Sequence, residues 1–281
     1  MTTLLRAENI SYRFSSSGCG IYDVSLDVQA ASKTAIMGAN GSGKTTLFLT
    51  LNGTLRPQSG TIRLGTVEAV YQRGFLRRWR SDIGLVLQDP CAQLVGGSVT
   101  EDVSLGPKNL GLSRTETEER VAAALDAMSL DTLRHRSVHE LSFGQKKRVA
   151  IAGILAMKPR AILLDEPTAG LDARGFNDLL ETLERLRSLG IAIVLSTHDS
   201  DFAATWADSM MVLAEGRVIA QGRPEPTFAS LRTQGGGGIT PSRLLSAWEK
   251  LPESVRAEQT PSWELLLSAL DGEIRKTHQK T

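Results

Sequence analysis

The chain has 281 residues but only two cysteines, Cys19 and Cys91, which excludes a disulfide scaffold and gives no metal-ligand spacing. No apolar run approaches the roughly 18 residues of a membrane-spanning helix. The longest, residues 150–157 and 191–196, are core-sized. The opening MTTLLRAENISYRF has no apolar stretch followed by a small-residue cleavage site, so a signal peptide is not expected. Neither sign of charge is in excess: 32 Lys and Arg face 31 Asp and Glu, a formal charge of +1. A polyanion binder releases counterions through a basic surface, so nucleic acid is not an expected partner. These absences lead to the expectation of a cytoplasmic protein whose membrane contact is peripheral. A composition of 41% hydrophobic and 22% charged residues is that of a chain with a packed core.

Five short aliphatic runs stand out, at 34–37, 83–87, 161–164, 191–196 and 210–213. Each has the length of a buried strand, and helical stretches separate several of them, which argues a largely parallel α/β sheet. The opening to about Val28 alternates polar and apolar residues and reads as antiparallel strands. Residues 89–150 read as a helical insert; within it 116–128 places Val121, Leu125 and Met128 on one face. The domain plan expected is an α/β domain over 1–232, a Gly-rich linker at 233–238 and a helical extension over 239–281. Four successive glycines, Gly235–Gly238, make a flexible joint. Two helices are expected beyond it, each opening on Thr-Pro, at Thr240-Pro241 and Thr260-Pro261. Leu244, Ala247, Trp248 and Leu251 share a face of the first; Trp263, Leu266, Leu267, Leu270 and Ile274 share a face of the second.

Gly38-Ala39-Asn40-Gly41-Ser42-Gly43-Lys44-Thr45 follows the 34–37 run and fits the pattern G-x-x-x-x-G-K-[ST], with Thr46 continuing into an apolar helix. Glycines let successive backbone N–H groups turn towards phosphate oxygens, and a helix starting near Lys44 adds its positive dipole end. Lys44 is expected to reach the β- and γ-phosphates and the Thr45 hydroxyl to ligate Mg²⁺. The run 161–164 ends in Asp165-Glu166. Carboxylates at a buried strand end need partners, which Mg²⁺ and a polarised water supply. Asp165 is assigned to Mg²⁺, and Glu166 to general-base attack by water.

Leu141-Ser142-Phe143-Gly144-Gln145 resembles the signature of ATP-binding-cassette (ABC) ATPases, and the other family motifs follow in order through about residue 230. The resemblance implies a P-loop NTPase domain with a RecA-like core, an antiparallel β subdomain and the helical insert, here with a small helical extension. It implies Gln88 as the Q-loop glutamine and a Mg²⁺ ligand, the 169–172 stretch as the D-loop with Asp172 at the nucleotide, and His198 as the switch histidine at the γ-phosphate. Phe14 stands where the family stacks an aromatic on adenine, with Tyr12 as the alternative. The resemblance further implies a head-to-tail homodimer with two ATP molecules, each held by one chain's phosphate loop and the other's signature. Ser142, Gly144 and Gln145 open a helix there, whose free N–H groups suit a γ-phosphate. The second signature residue is Phe143 where glycine is usual.

Residues 88–94, 98–103, 106–112 and 145–153 resemble energy-coupling-factor importer ATPases, and within them the ATPase subunits of cobalt importers, with nickel importers close behind. This implies an ATP-hydrolysing subunit on the cytoplasmic face of the membrane, partnered by a membrane coupling subunit and a substrate-binding membrane subunit. The 88–94 segment is expected to line the groove for the coupling subunit, with Leu94 at its exposed end. The alternatives are the same role for nickel or a vitamin, and a soluble cassette ATPase outside transport. His135 and His139 are spaced four apart but have no third ligand nearby, and read as solvent-exposed. Arg73, Arg77, Arg78 and Arg80 form a basic run read as a loop before the 83–87 strand, and with Trp79 it is assigned to a surface near the membrane. The tail's apolar faces are assigned to dimer contacts.

Overall fold

The computed structural model describes residues 2–16, 18–233, 238–251, 261, 262, 264–266 and 268. In chain order the elements are β1 (Thr3–Arg13), β2 (Gly20–Gln29), β3 (Lys33–Met37), α1 (Lys44–Leu51), β4 (Ser59–Leu64), β5 (Val67–Glu68), α2 (Arg73–Asp82) and β6 (Ile83–Val86). Then come α3 (Val99–Asn109), α4 (Arg114–Ala127), α5 (Phe143–Leu155), β7 (Ala161–Leu164), α6 (Ala173–Ser188) and β8 (Ala192–Thr197). The last are α7 (Ser200–Trp206), β9 (Ser209–Ala214), β10 (Arg217–Gly222), α8 (Pro224–Thr233) and α9 (Arg243–Trp248).

Six strands form one sheet in the order β10-β9-β3-β8-β7-β6, parallel except for the edge strand β10. Every residue of β7 and β8 is buried, as expected of strands covered on both faces. Successive residues feed opposite cores because side chains alternate along a strand. Ala35, Met37, Ile162, Leu164, Ile193 and Leu195 join the core that includes Val103, Val121, Leu125 and Val149 of the helical layer. Their neighbours Ile36, Leu163, Ala192 and Val194 join a second core with Leu5, Val24, Leu26 and Leu47. Each such side chain contributes about 1.5–3 kcal/mol by leaving water. The second sheet, β2-β1-β4-β5, is antiparallel and buries alternate residues, as an amphipathic sheet must. The helices α3, α4 and α5 lie between β6 and β7 in the chain. Both α3 and α5 begin with reciprocal caps, Ser98 with Glu101 and Ser142 with Gln145.

This topology sets the site. β3, β8 and β7 are adjacent and parallel, with Met37 opposite Thr197 and Leu164 opposite Leu195. Their carboxyl ends deliver the 38–43 loop, His198 and Asp165-Glu166 to one edge, where open α/β sheets bind ligands.

Three expectations need correction. The basic run is helical: α2 exposes Arg73, Arg77, Arg78 and Arg80 but buries Trp79. The indole Nε1 donates to the Leu51 carbonyl at 3.0 Å and its ring stacks on Phe75 at 5.7 Å, so Trp79 faces the core and not a membrane. Leu94 is buried in the core that also holds Val99 and Val103; the exposed apolar residue is its neighbour Val95, at 77%. In the tail, Leu244, Trp248, Leu251 and Leu266 bury one another, and α9 is tied to its own chain. The Asp201 carboxylate of α7 accepts from Ser242 Oγ at 2.8 Å and from Leu244 N at 3.1 Å. Gly235–Gly237 of the joint, Thr260, and Trp263, Leu267, Leu270 and Ile274 lie outside the described residues. Among the described residues no helix is long and apolar enough to cross a membrane.

Candidate active site

The loop between β3 and α1 is built by close approach. A Cβ on Gly38 would stand 2.4 Å from both the Leu213 carbonyl and Ser42 Oγ, and Gly43, the N-cap of α1, has φ of 107°. Asn40 and Gly41 are exposed, whereas Ser42 and Lys44 are buried. The Lys44 ammonium donates to the carbonyls of Gly38 at 2.8 Å and Ala39 at 3.2 Å and lies 3.8 Å from Glu166 Oε1.

Beyond β7, Asp165 accepts from Thr45 Oγ1 at 2.6 Å and from Ser196 Oγ at 2.6 Å, one on each carboxylate oxygen. Ser196 also accepts from the Glu166 amide at 2.7 Å. This buried serine, beside Thr197 at the polar end of an otherwise apolar strand, is the site residue that the sequence did not reveal. Glu166 adopts φ of 45°, a left-handed backbone that costs a non-glycine residue about 1–3 kcal/mol and recurs at functional sites. Its Oε2 lies 3.0 Å from His198 Nδ1, while Oε1 is buried without a hydrogen bond. Lys44, Thr45, Asp165, Glu166 and His198 thus share one network. The His198 side chain is 72% exposed and opens to solvent at the sheet edge, whereas Glu166 beneath it is buried.

Phe14 is half-buried just past β1, edge-on to Tyr12 with ring centroids 5.0 Å apart. The β2 start borders the loop: a Cβ on Gly43 would meet Ile21 Cγ2 at 2.9 Å. Gln88 is exposed two residues past β6. The turn it opens is pinned by Gln93, whose amide accepts from Leu87 N at 2.9 Å and donates to the Leu85 carbonyl at 2.7 Å.

Other predicted residues lie apart. Ser142, Gly144, Gln145 and Asp172 line a cleft of about 630 Å³ that includes no residue of the 38–45 loop. Ser142 caps α5 and is exposed; Asp172 caps α6, accepting from Gly175 N at 2.7 Å. Within one chain the two groups of residues therefore lie apart. His135 and His139 are exposed, and among the described residues no group of three His, Cys, Asp or Glu converges as a metal site.

The residues fit the ligands the motifs imply. An ammonium, a hydroxyl and a carboxylate meet at the start of a helix, which suits phosphate and a hard cation with oxygen ligands. Glu166 Oε1, 3.8 Å from the Lys44 ammonium but without a hydrogen bond, is an acceptor that suits a donor such as water.

Residues 21–169 match the family model for ABC transporters. The cobalt import ATP-binding protein CbiO of Rhodobacter capsulatus is 48% identical over 245 residues, covering 87% of this chain and 88% of that protein. The energy-coupling factor transporter ATP-binding protein EcfA2 of Clostridium perfringens is 42% identical over 227 residues, 80% of each. Among solved structures, cbiO1 from Clostridium perfringens, part of the ABC transporter complex cbiONQ, superposes with a TM-score of 0.74 at 40% identity, covering 83% of this chain and 93% of that one. A dimeric post-hydrolysis state of the ATP-binding cassette MJ0796, bound to ADP and Pi, gives 0.70 at 26% identity over 79% and 99%. The chain belongs to the ABC transporter ATP-binding proteins, in the energy-coupling-factor and cobalt-import group, and is an ATPase.

Proposed function

We propose that this ATPase powers the import of cobalt ions by hydrolysing MgATP at two sites shared across a head-to-tail homodimer. The observation that carries the hydrolytic reading is the Glu166 carboxylate, held between His198 and Lys44 at the strand end that also presents Asp165 and Thr45. Backbone N–H groups of the 38–43 loop and the Lys44 ammonium hold the β- and γ-phosphates, while Phe14, or Tyr12, stacks on adenine. Thr45, Asp165 and Gln88 hold Mg²⁺, which when bound neutralises charge on the phosphates. Glu166 accepts the proton of the attacking water. His198 orients that carboxylate through Nδ1 and faces the γ-phosphate.

The second half-site supports the dimer: the capped start of α5, with Ser142 and Gly144, and Asp172 have no phosphate loop of their own chain beside them. A second copy supplies one. Dimer formation by the MJ0796 cassette, 26% identical, agrees with this.

The chain sits peripherally on the cytoplasmic face of the membrane, with a coupling subunit and a substrate-binding subunit as partners. Exposed Val95, next to the turn opened by Gln88, supplies an apolar contact for the coupling subunit. Cobalt as solute follows the name of the 48% identical relative. Radioactive Co²⁺ uptake by cells carrying the whole transporter tests the reading. Uptake is expected with the native chain and not with Glu166→Gln; its absence with both, in cells that assemble the complex, overturns cobalt as the solute.

A further inference from the structure

Phe143 and Lys147 lie one helical turn apart at the start of α5, and both turn towards the loop that follows β7. Lys147 is 4% exposed. Its ammonium donates to the carbonyls of Pro167 at 2.7 Å and Ala169 at 2.6 Å, with Glu166 O at 3.4 Å as a third, longer contact. The same ammonium lies 5.0 Å from the centroid of the Phe143 ring. That ring in turn covers Gly170, where φ is 72° and a Cβ would come within 3.1 Å of Phe143 Cε1. One cation and one ring therefore hold the five residues from Glu166 to Gly170 against the start of α5, which Ser142 caps.

We propose that Lys147, braced by Phe143, is a positioning residue that locks the 166–170 segment to the first turn of α5 and so sets the place of the Glu166 carboxylate. It rests on the reading of Glu166 as the base. The physical ground is twofold. A buried ammonium is retained at a desolvation cost only where carbonyl or carboxylate oxygens replace its water, and here backbone carbonyls do so. The carbonyls belong to the stretch joining Glu166 to the D-loop, so whatever docks on the start of α5 is mechanically joined to the base. Misplacement of a reacting group by about 1 Å lowers rate on the order of 100-fold. Lys147 touches no reacting atom itself. The arrangement also accounts for Phe143 at a position where the family usually has glycine: the ring covers the D-loop glycine and caps the lysine.

The test compares Lys147→Met, which keeps the stem and loses every donor, with Lys147→Arg, which keeps cation and donors, in the full-length chain. Lys147→Met is expected to lower kcat about 10- to 100-fold while KM and ATP affinity stay within about twofold, and Lys147→Arg to recover most of the loss. Native kcat in Lys147→Met, a parallel loss of ATP affinity, or an arginine variant no better than the methionine one overturns the proposal. Should Lys147→Met fail to fold, Phe143→Leu replaces it: a lowered kcat at unchanged KM supports the brace, and native kcat overturns it. Glu166→Gln is run alongside. If it still turns over, the base reading falls and the inference with it; if it is inactive while Lys147→Met is not, the inference alone falls.

Discussion

Ser196→Ala removes a single hydroxyl near the carboxyl end of β8, and its effect can be worked from the contacts. Ser196 is fully buried. It donates to Asp165 Oδ1 at 2.6 Å and accepts from the Glu166 amide at 2.7 Å. A hydrogen bond to a charged group contributes about 1.5–3 kcal/mol, and a buried N–H left unpaired costs about 1–3 kcal/mol. Relaxation of Glu166 from its left-handed backbone offsets part of this, by about 1 kcal/mol or more. The net loss should be about 2–4 kcal/mol, a fall in Tm of roughly 5–15 °C for a domain of this size. Asp165 keeps the Thr45 hydroxyl, so the fold should survive while Glu166 loses its anchor. Urea unfolding followed by tryptophan fluorescence gives the stability, and phosphate release gives turnover. A stability loss under about 0.5 kcal/mol, the range of ordinary surface substitutions, with native turnover would refute the reasoning.

Glu166→Gln should lower steady-state hydrolysis by about 10²–10⁴-fold, the range for a positioned base, and leave ATP binding by calorimetry intact. At the 88–95 turn two substitutions should separate. Val95→Asp should keep stability within about 0.5 kcal/mol and native hydrolysis by the purified chain, yet abolish Co²⁺ uptake by the assembled transporter. Leu94→Glu should instead unfold more easily, by about 2 kcal/mol or more, because it places a carboxylate at a buried core position; equal melting of the two variants would show that the turn is exposed throughout. Burial lowers the Lys147 pKa from 10.5 to about 8, against the pull of Glu166. Between those values the unfolded chain holds a proton that the folded chain has released, so this group's contribution to stability rises with pH there. The stability difference between native protein and Lys147→Gln should therefore change in the native protein's favour from pH 8 to 10; a flat difference would place the titration elsewhere.

The phosphate loop, Asp165 and Glu166 were legible in the sequence for local reasons, and His198 through the family resemblance. Gly38 and Gly43 answer to backbone approach and φ, and the runs ending at Met37 and Leu164 are apolar because both strand faces are covered. Residues whose state depends on distant partners were not legible. Trp79 reads as a membrane-facing aromatic until Leu51, 28 residues away, accepts from its indole. In α2 the apolar stripe of Phe75, Leu76 and Trp79 is masked by arginines on the other face. β4 and the edge strand β10 escaped because both are partly exposed and mix polar with apolar residues. Leu94 and Val95 are adjacent and chemically alike, and only the packing of α3 and α5 decides which is buried. Lys147 looked like one more basic residue in a charged stretch, because its partners are carbonyls of a loop about 20 residues on.

The central claim is that each ATP site is completed by a second copy, and mixing two inactive chains tests it most directly. Lys44→Ala destroys the phosphate-loop half and Ser142→Arg the signature half. In a mixed head-to-tail dimer the Ser142→Arg chain's intact loop meets the Lys44→Ala chain's intact signature, which leaves one whole site. Half of randomly formed dimers are mixed and each keeps one site of two, so the mixture should hydrolyse ATP at up to about one quarter of the native rate, well above either variant alone. A mixture no more active than its parents would contradict a site shared between chains.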